Sequence, residues 1–484
     1  MKIKTELEKI IGSNKVSDSP ADLSLYSQDM SLAPAGLADA VAWPESTEEV
    51  SEIVKWCDAN NVPVVPVSSG THFYGSTIPK QGGVVVDMKN MNKILEIDPK
   101  HKFARIQPGV TWSQLTAELD KVGMRAMMPL TPVGNRSVLS DTLDRAVITN
   151  TNYDYGEPTQ SLEIVWANGD IFRSGSASVH DFPNSPSRGS NPSGPGIDFY
   201  RFLQGSQGTM GIVTWMSIKV ETKTVIDKVF FAPVEDLDYA QKFLFRVLPR
   251  RIGQEVVLLN NLDLACILAE NDDEINDLCA KLPTWTLCMI LSGGLRRPEE
   301  KIAYEEKFLT EVLYNEYPEL RFKNALPGFP GLSKKMLAIL KSPQTGKLWK
   351  TRPLGGCSFE DIFFIARPEK VKEYTAIMEA VTAKYKYPTT YVGAYIQPIE
   401  HNRACQVEFT LFYNPEDEGE RAEVAKIAYE AAVAMMDKGA FFTRPYGEIT
   451  PLIYDRAGNY TATLKQVKKV FDPNNILNPG TLCF

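Results

Sequence analysis

The sequence is poor in metal-binding residues. Its four histidines, His72, His101, His180 and His401, stand far apart, and its seven cysteines occur singly, with no Cys-x-x-Cys pair. A disulfide framework, a zinc site, an iron–sulfur cluster or any other metal site is therefore not expected, and a reducing cytoplasm is the expected compartment. No apolar run approaches the length of a membrane span. The segment Met1 to Ile11 is charged and lacks the apolar core of a secretion signal. Basic excess is missing too: the net charge is -8, which argues against nucleic acid as a partner. Arg246, Arg250 and Arg251 read as a solvated face. There is no Gly-x-Gly-x-x-Gly, no P-loop, no heptad pattern and no internal repeat.

What is present is an ordinary globular composition, 43% hydrophobic and 23% charged over 484 residues, enough for two or three domains. The early chain alternates strand and helix. Ala40 to Trp43 reads as a strand, and Ser46 with Glu49 has capping-box spacing. Val50, Ile53, Val54 and Cys57 then recur at helical spacing, and Val62 to Val67 is dense in β-branched residues. This predicts a right-handed βαβ unit. Gly83 to Asp87, Leu95 to Ile97 and Phe103 to Gln107 read as further strands. Thr111 and Gln114 open a second capped helix that Gly123 ends. From Ser161 to Ser174, strand, Asn168-Gly169 and strand spell a hairpin. Asn184 to Gly196 is a Pro/Ser/Gly loop. Glu420 to Asp437 and Leu464 to Phe471 read as helices.

Two loops have the chemistry of an anion or cofactor cradle. Pro66-Val67-Ser68-Ser69-Gly70-Thr71-His72-Phe73-Tyr74-Gly75-Ser76 follows a strand directly, and its small residues let backbone N–H groups approach a pyrophosphate. Gly205 to Thr214 carries three glycines at a spacing of three, just before a strand. Alone, each is as consistent with a tight turn.

Together they resemble the flavin loops of the vanillyl-alcohol oxidase/p-cresol methylhydroxylase family of FAD-binding oxidoreductases. Gly134 to Arg145 is similar to the family segment lying along the flavin, Tyr155-Gly156 and Glu163 to Asp170 continue the match, and Phe471-Asp472-Pro473-Asn474-Asn475-Ile476-Leu477-Asn478-Pro479-Gly480 resembles its closing signature. The resemblance is strong over about 40 to 220 and 440 to 484, and weak between. It implies an α+β fold: a p-cresol methylhydroxylase-type FAD-binding domain of two subdomains (1–225), interrupted by an α+β substrate cap (226–435) and completed by a C-terminal return (436–484). It also implies FAD, held by Pro66, Ser68, Ser69, Gly70, Thr71, His72, Gly75, Ser76, Pro132, Ser137, Asp141, Thr142, Asp144, Arg145, Gly208, Gly211, Ile212, Val213 and Asn475. In relatives a histidine at the place of His72 bonds covalently to the flavin 8α-methyl; the other reading is a histidine that only hydrogen-bonds. His401 reads as a surface turn.

Phenol-oxidising relatives carry a Tyr-Arg pair after Gly-Glu, where this sequence has Ile449 and Thr450. Arg444, Tyr446 and Glu448 are the catalytic candidates instead, since an arginine can hold an oxyanion or a carboxylate. Thr481 stands where relatives often have lysine. In the cap, Tyr391, Tyr395 and Gln397 would share one strand face and Gln406 and Glu408 another. Tyr395, Gln397 and Arg403 are the substrate-pocket candidates. The implied reaction is hydride transfer to flavin N5 from a small alcohol or 4-substituted phenol. The alternatives are a D-2-hydroxy-acid dehydrogenase and the flavoprotein subunit of an electron-transfer complex. The resemblance implies a homodimer, with oxygen or a separate protein as electron acceptor.

Overall fold

The computed structural model describes residues 3–484 apart from 69, 180, 181, 183, 185–188, 354 and 355. Three sheets organise it, in an α+β architecture. The first has four strands in the order Val16–Ser17, Ala40–Ala42, Val84–Asp87, Val64–Val67, with the last three parallel. Its parallel strands are valine-rich and almost wholly buried, as strands covered on both faces must be. The βαβ reading holds in outline, but Val84–Asp87 inserts between the two strands that flank the helix Thr47–Asn60. Ser46 caps that helix, its Oγ accepting from Glu49 N at 3.2 Å, and Asn61 ends it in the left-handed region at φ 52°.

The second sheet is antiparallel and has six strands. Its long member Ile212–Thr222 pairs with Phe103–Ile106, Thr159–Val165 and Met124–Ala126. The expected hairpin is there: Thr159–Val165 pairs with Ile171–Arg173 across the Asn168-Gly169 turn, Gly169 taking φ 81°. The third sheet has six antiparallel strands in the order Ile226–Val234, Trp285–Gly293, Glu255–Asn260, Val392–Ile399, Ala404–Tyr413, Ser358–Ala366. Helices Leu237–Val247, Val371–Lys384 and Glu418–Asp437 contribute to the core cluster on one of its faces.

The C-terminal segment returns to the first sheet. Val64 N donates to Ile476 O at 2.7 Å and Asn478 N to Val64 O at 2.8 Å, so residues 476–478 run beside the strand that feeds the loop Pro66 to Ser76. The preceding helix, Asn459–Phe471, is longer than the Leu464 to Phe471 read from sequence, with Gly458 ahead of its first turn. Among the described residues, no helix is long and apolar enough to cross a membrane.

Candidate active site

Two backbone loops face each other across a cleft. One runs from the end of strand Val64–Val67 and supplies Pro66, Ser68, His72 and Ser76; the other precedes strand Ile212–Thr222 and supplies Ser206, Gly208, Gly211 and Val213. The glycines are needed for the close approach. Gly208 sits at φ 75°, and a Cβ there would stand 2.4 Å from Pro66 Cγ; at Gly70, φ 90°, a Cβ would stand 2.3 Å from Asn135 O. The helix Val138–Leu143 forms a third wall, with Ser140 Oγ 2.6 Å from Ser68 Oγ. The cleft spans about 820 Å³, part of it open to solvent. Its hydroxyls, its glycine backbone and its length suit the ribityl and pyrophosphate parts of a dinucleotide.

Several side chains lock the walls together. Arg136 is fully enclosed: it pairs with Asp141, donates to Thr71 O at 3.0 Å, approaches Asp144 at 3.6 Å and lies 4.9 Å from the centre of the Phe73 ring. Asn478 donates from Nδ2 to Ser76 O at 2.8 Å and Gln207 O at 2.7 Å, tying the first loop to the second. Lys468 is buried and donates to Thr209 O at 2.6 Å and Leu477 O at 3.1 Å. It also pairs with Asp472, which accepts the N–H groups of Ile476 and Leu477. This explains the Asp-Pro signature physically: the carboxylate folds the closing turn and anchors the lysine that holds the glycine loop. An N-terminal arm reinforces the first loop, Asp29 accepting Gly75 N at 2.7 Å and His72 O accepting Met30 N at 3.3 Å. His72 opens onto the cleft, and burial together with the charge of Arg136 pushes its imidazole down to about 4.

A second cavity, also about 820 Å³, lies between this cleft and the third sheet. Phe73, Tyr74, Arg136 and Asp144 border both spaces. Its aromatic wall is Phe73, Tyr74, Trp349, Phe359 and Tyr395, and its charged groups are Asp141, Lys350, Asp361, Glu408 and Arg444 with the shared pair. Arg444 is only 9% exposed and forms no ion pair among the described residues. Its guanidinium lies 4.1 Å from the centre of the Phe363 ring and donates weakly to Gln406 Oε1 at 3.4 Å. Tyr74 packs 4.7 Å from Tyr446 and 5.3 Å from Phe363. Burial raises the phenol pKa of both tyrosines, so both are hydroxyl donors at neutral pH. A third space of about 1520 Å³ opens beyond Tyr74 and Arg444, past Glu360 and Tyr446 to the exposed Glu448.

The residues expected at the cofactor fall into groups. Pro66, Ser68, His72, Ser76, Asp144, Gly208, Gly211, Ile212 and Val213 line the cleft. Gly70 and Thr71 turn to the outer side of the first loop, and Gly75 to the third space. Pro132 and Asp141 border the second cavity. Ser137 and Thr142 serve the helix itself: Ser137 caps it and donates to Pro108 O, and Thr142 donates to Val138 O. Arg145 donates to Gln204 O. Ser69 lies outside the described residues. Asn475 does not line the cleft: it is exposed, at φ 52° in the closing turn, whereas Asn478 ties the two loops together. Thr481 is buried, with Lys80 donating to its Oγ1 at 3.3 Å.

Among the donor-site candidates, Tyr395 lines the second cavity, Arg444 lines both it and the third space, and Tyr446 lines the third space. Glu448 stands at the outer rim. Gln397 is buried one layer away, its amide given to Ile148 O. Arg403 points to solvent and pairs with Glu400, because three successive left-handed residues, Glu400 to Asn402, reverse the chain there. His401 belongs to that turn. Tyr74, Lys350 and Asp361 have no place in the sequence reading, although Tyr74 follows His72 in the flavin loop itself.

Comparison with known proteins agrees with this geometry. Residues 38–175 match the FAD binding domain family, and residues 452–482 match the C-terminal domain of FAD linked oxidases. Over 255 residues the chain is 31% identical to "Glycolate oxidase subunit GlcD" of Bacillus subtilis (strain 168), a match spanning 52% of this chain and about half, 51%, of that protein. It is 25% identical to the "4-cresol dehydrogenase [hydroxylating] flavoprotein subunit" of Pseudomonas putida across 90% of this chain and 86% of that one. The crystal structure of p-cresol methylhydroxylase with substrate bound superposes with a TM-score of 0.84 at 21% identity, covering 100% of this chain and 96% of that one. The chain thus carries an FAD binding domain and the C-terminal domain of FAD linked oxidases, and its fold is that of p-cresol methylhydroxylase.

Proposed function

We propose that the donor is a small alcohol or 4-substituted phenol, oxidised in the cavity between the flavin cleft and the third sheet. The observation that carries this is Arg444. Arg444 is buried and forms no ion pair among the described residues, so an arriving anion would offset the cost of burying its charge. Tyr74, a neutral hydroxyl donor, lines the same cavity, and Tyr446 packs against Tyr74. Such a group of donors stabilises negative charge developing on a donor oxygen. The rings of Phe73, Phe359, Trp349 and Tyr395 suit an aromatic donor. Bound FAD supplies the two-electron acceptor, taking a hydride at N5. Residues 1–225 and 436–484 would then form the FAD-binding unit and 226–435 the cap.

A second reading, a D-2-hydroxy-acid donor, draws support from the likeness to the glycolate oxidase subunit and from the same arginine, since two parallel hydrogen bonds from a guanidinium fit a carboxylate. The likeness to a flavoprotein subunit supports a partner subunit, for which the role of electron acceptor is the reading proposed. Anaerobic titration of the purified yellow protein with 4-substituted phenols, benzylic alcohols and D-2-hydroxy acids separates the readings. Bleaching by the first two classes alone is expected. Bleaching by hydroxy acids alone would replace the first reading with the second. No bleaching by any donor, with reduction only by a partner protein, would favour the electron-transfer subunit.

A further inference from the structure

Lys350 stands on the short turn Trp349–Thr351 at the edge of the donor cavity. Its Nζ lies 2.6 Å from Asp361 Oδ2 and 2.5 Å from Glu408 Oε1. Two carboxylates thus share one ammonium. The remaining oxygens are also held: Asp361 Oδ1 accepts from Thr410 Oγ1 at 2.7 Å, and Glu408 Oε2 accepts from Gln406 Nε2 at 2.9 Å. Gln406 in turn accepts from Arg444, so one chain of polar contacts runs from the oxyanion-binding arginine to Asp361. Tyr74 OH approaches Asp361 Oδ2 at 3.5 Å from the flavin loop. Asp361 borders both the donor cavity and the third space.

The Asp361 side chain is fully buried. Burial raises its pKa, and Lys350 opposes that rise. Burial also works against the Lys350 charge, yet Asp361 and Glu408 hold the ammonium well above the ordinary lysine range. The other ionisable groups facing this cluster are Tyr74, Asp263, Glu360, Tyr395 and Arg444. Asp263 and Glu360 are carboxyls that burial pushes up to about 8, so they add little negative charge at neutral pH. Lys350 is then the cation that makes an ionised Asp361 affordable here.

Resting on the reading that the donor occupies this cavity, we infer that Lys350 is a positioning residue: it holds Asp361 ionised and aimed at the donor, and Asp361 takes the proton released by the donor hydroxyl. In that step the donor O–H bond breaks and an Asp361 O–H bond forms. The donor C–H electron pair leaves as hydride to the cofactor, and the oxygen electron pair left behind becomes the product C=O bond. Asp361 returns its proton to solvent before the next turnover. A carboxylate whose pKa burial raises above the ordinary carboxylate range suits a general base. A lysine that merely pinned the turn to the sheet would have no effect on that proton.

The test uses the FAD-loaded Lys350→Met, Lys350→Arg and Lys350→Met/Asp361→Asn variants, with Lys350→Gln in place of methionine if that variant does not fold. In infrared titration, Lys350→Met should show the carbonyl stretch of a protonated carboxyl at a pH higher by about one unit or more than wild type. The extra band should vanish in the double variant, and Lys350→Arg should restore the wild-type titration. In anaerobic flavin reduction the acid limb of the rate should move up by the same amount, while the rate at high pH stays within about threefold. An unmoved carboxyl titration in a variant that merely melts earlier would overturn the inference. If no donor reduces the wild-type flavin, the proposed function fails, but the infrared result still decides the role of Lys350.

Discussion

Lys468 Nζ lies 2.6 Å from the carbonyl oxygen of Thr209. This contact joins the last helix of the chain to the glycine loop of the flavin cleft, across 259 residues of sequence. Lys468→Met should therefore weaken FAD retention as well as stability. It leaves Asp472 buried and without its cation, at a cost of about 3 kcal/mol. Thermal unfolding should show a lower midpoint, and dialysis should release flavin faster. Flavin retained as in wild type, in a variant of lowered stability, would mean that the lysine supports the fold alone.

Gly208→Ala tests the cleft from the other side. The added methyl meets Pro66 Cγ, at a φ that side chains rarely adopt. The loop must open, at a cost of about 1–3 kcal/mol. FAD affinity should fall by about tenfold or more, as read by flavin fluorescence on mixing apoprotein with FAD. Unchanged affinity would place the cofactor away from this loop.

His72 is unprotonated down to about pH 4, because burial and Arg136 both disfavour its charge. A neutral ring nitrogen facing the cleft is what a bond to the flavin 8α-methyl requires. Acid precipitation should leave yellow colour in the wild-type pellet and none in that of His72→Ala. Flavin wholly in the supernatant of both would mean that His72 only lines the cleft.

Asp263 carries a pH signature of its own. Its Oδ1 is buried without a partner, and burial pushes the carboxyl up to about 8 from an ordinary value of 3.8. Between those values the unfolded chain binds fewer protons than the folded one, so this group makes stability fall as pH rises. Asp263→Asn should raise the melting temperature, with a larger gain at pH 8 than at pH 5. An equal gain at both would remove Asp263 as the titrating group.

Much of the cofactor half is legible in sequence because its signals are local. Ser46 caps its helix, Asn168-Gly169 turns its hairpin, and Gly208 sits where backbone must approach backbone. The donor cavity is less legible because its charges come from the third sheet and a turn, brought together only by register. Lys350, in a run with Lys347 and Arg352, looks like a solvated face until strands Ser358–Ala366 and Ala404–Tyr413 pair and bring Asp361 and Glu408 to it. Asp29 reads as an ordinary acid near the N-terminus, yet it holds Gly75. Arg403 misleads for the converse reason: strand alternation continued past Ile399 points it inward, but the left-handed turn at Glu400 to Asn402 turns it out. Asn475 and Asn478 are alike in sequence and differ only in which side of the closing turn they occupy.

On the proposed reading, Arg444 holds the donor oxygen beside the flavin. The most direct measurement is stopped-flow anaerobic flavin reduction, by the best 4-substituted phenol, in wild type and Arg444→Met. Losing a charged hydrogen-bonding partner at the reacting oxygen costs about 3 kcal/mol, or roughly a hundredfold in reduction rate over donor dissociation constant. That loss, in a variant that keeps its FAD spectrum, is the expected result. A rate within about threefold of wild type would contradict the account and move the donor site away from Arg444.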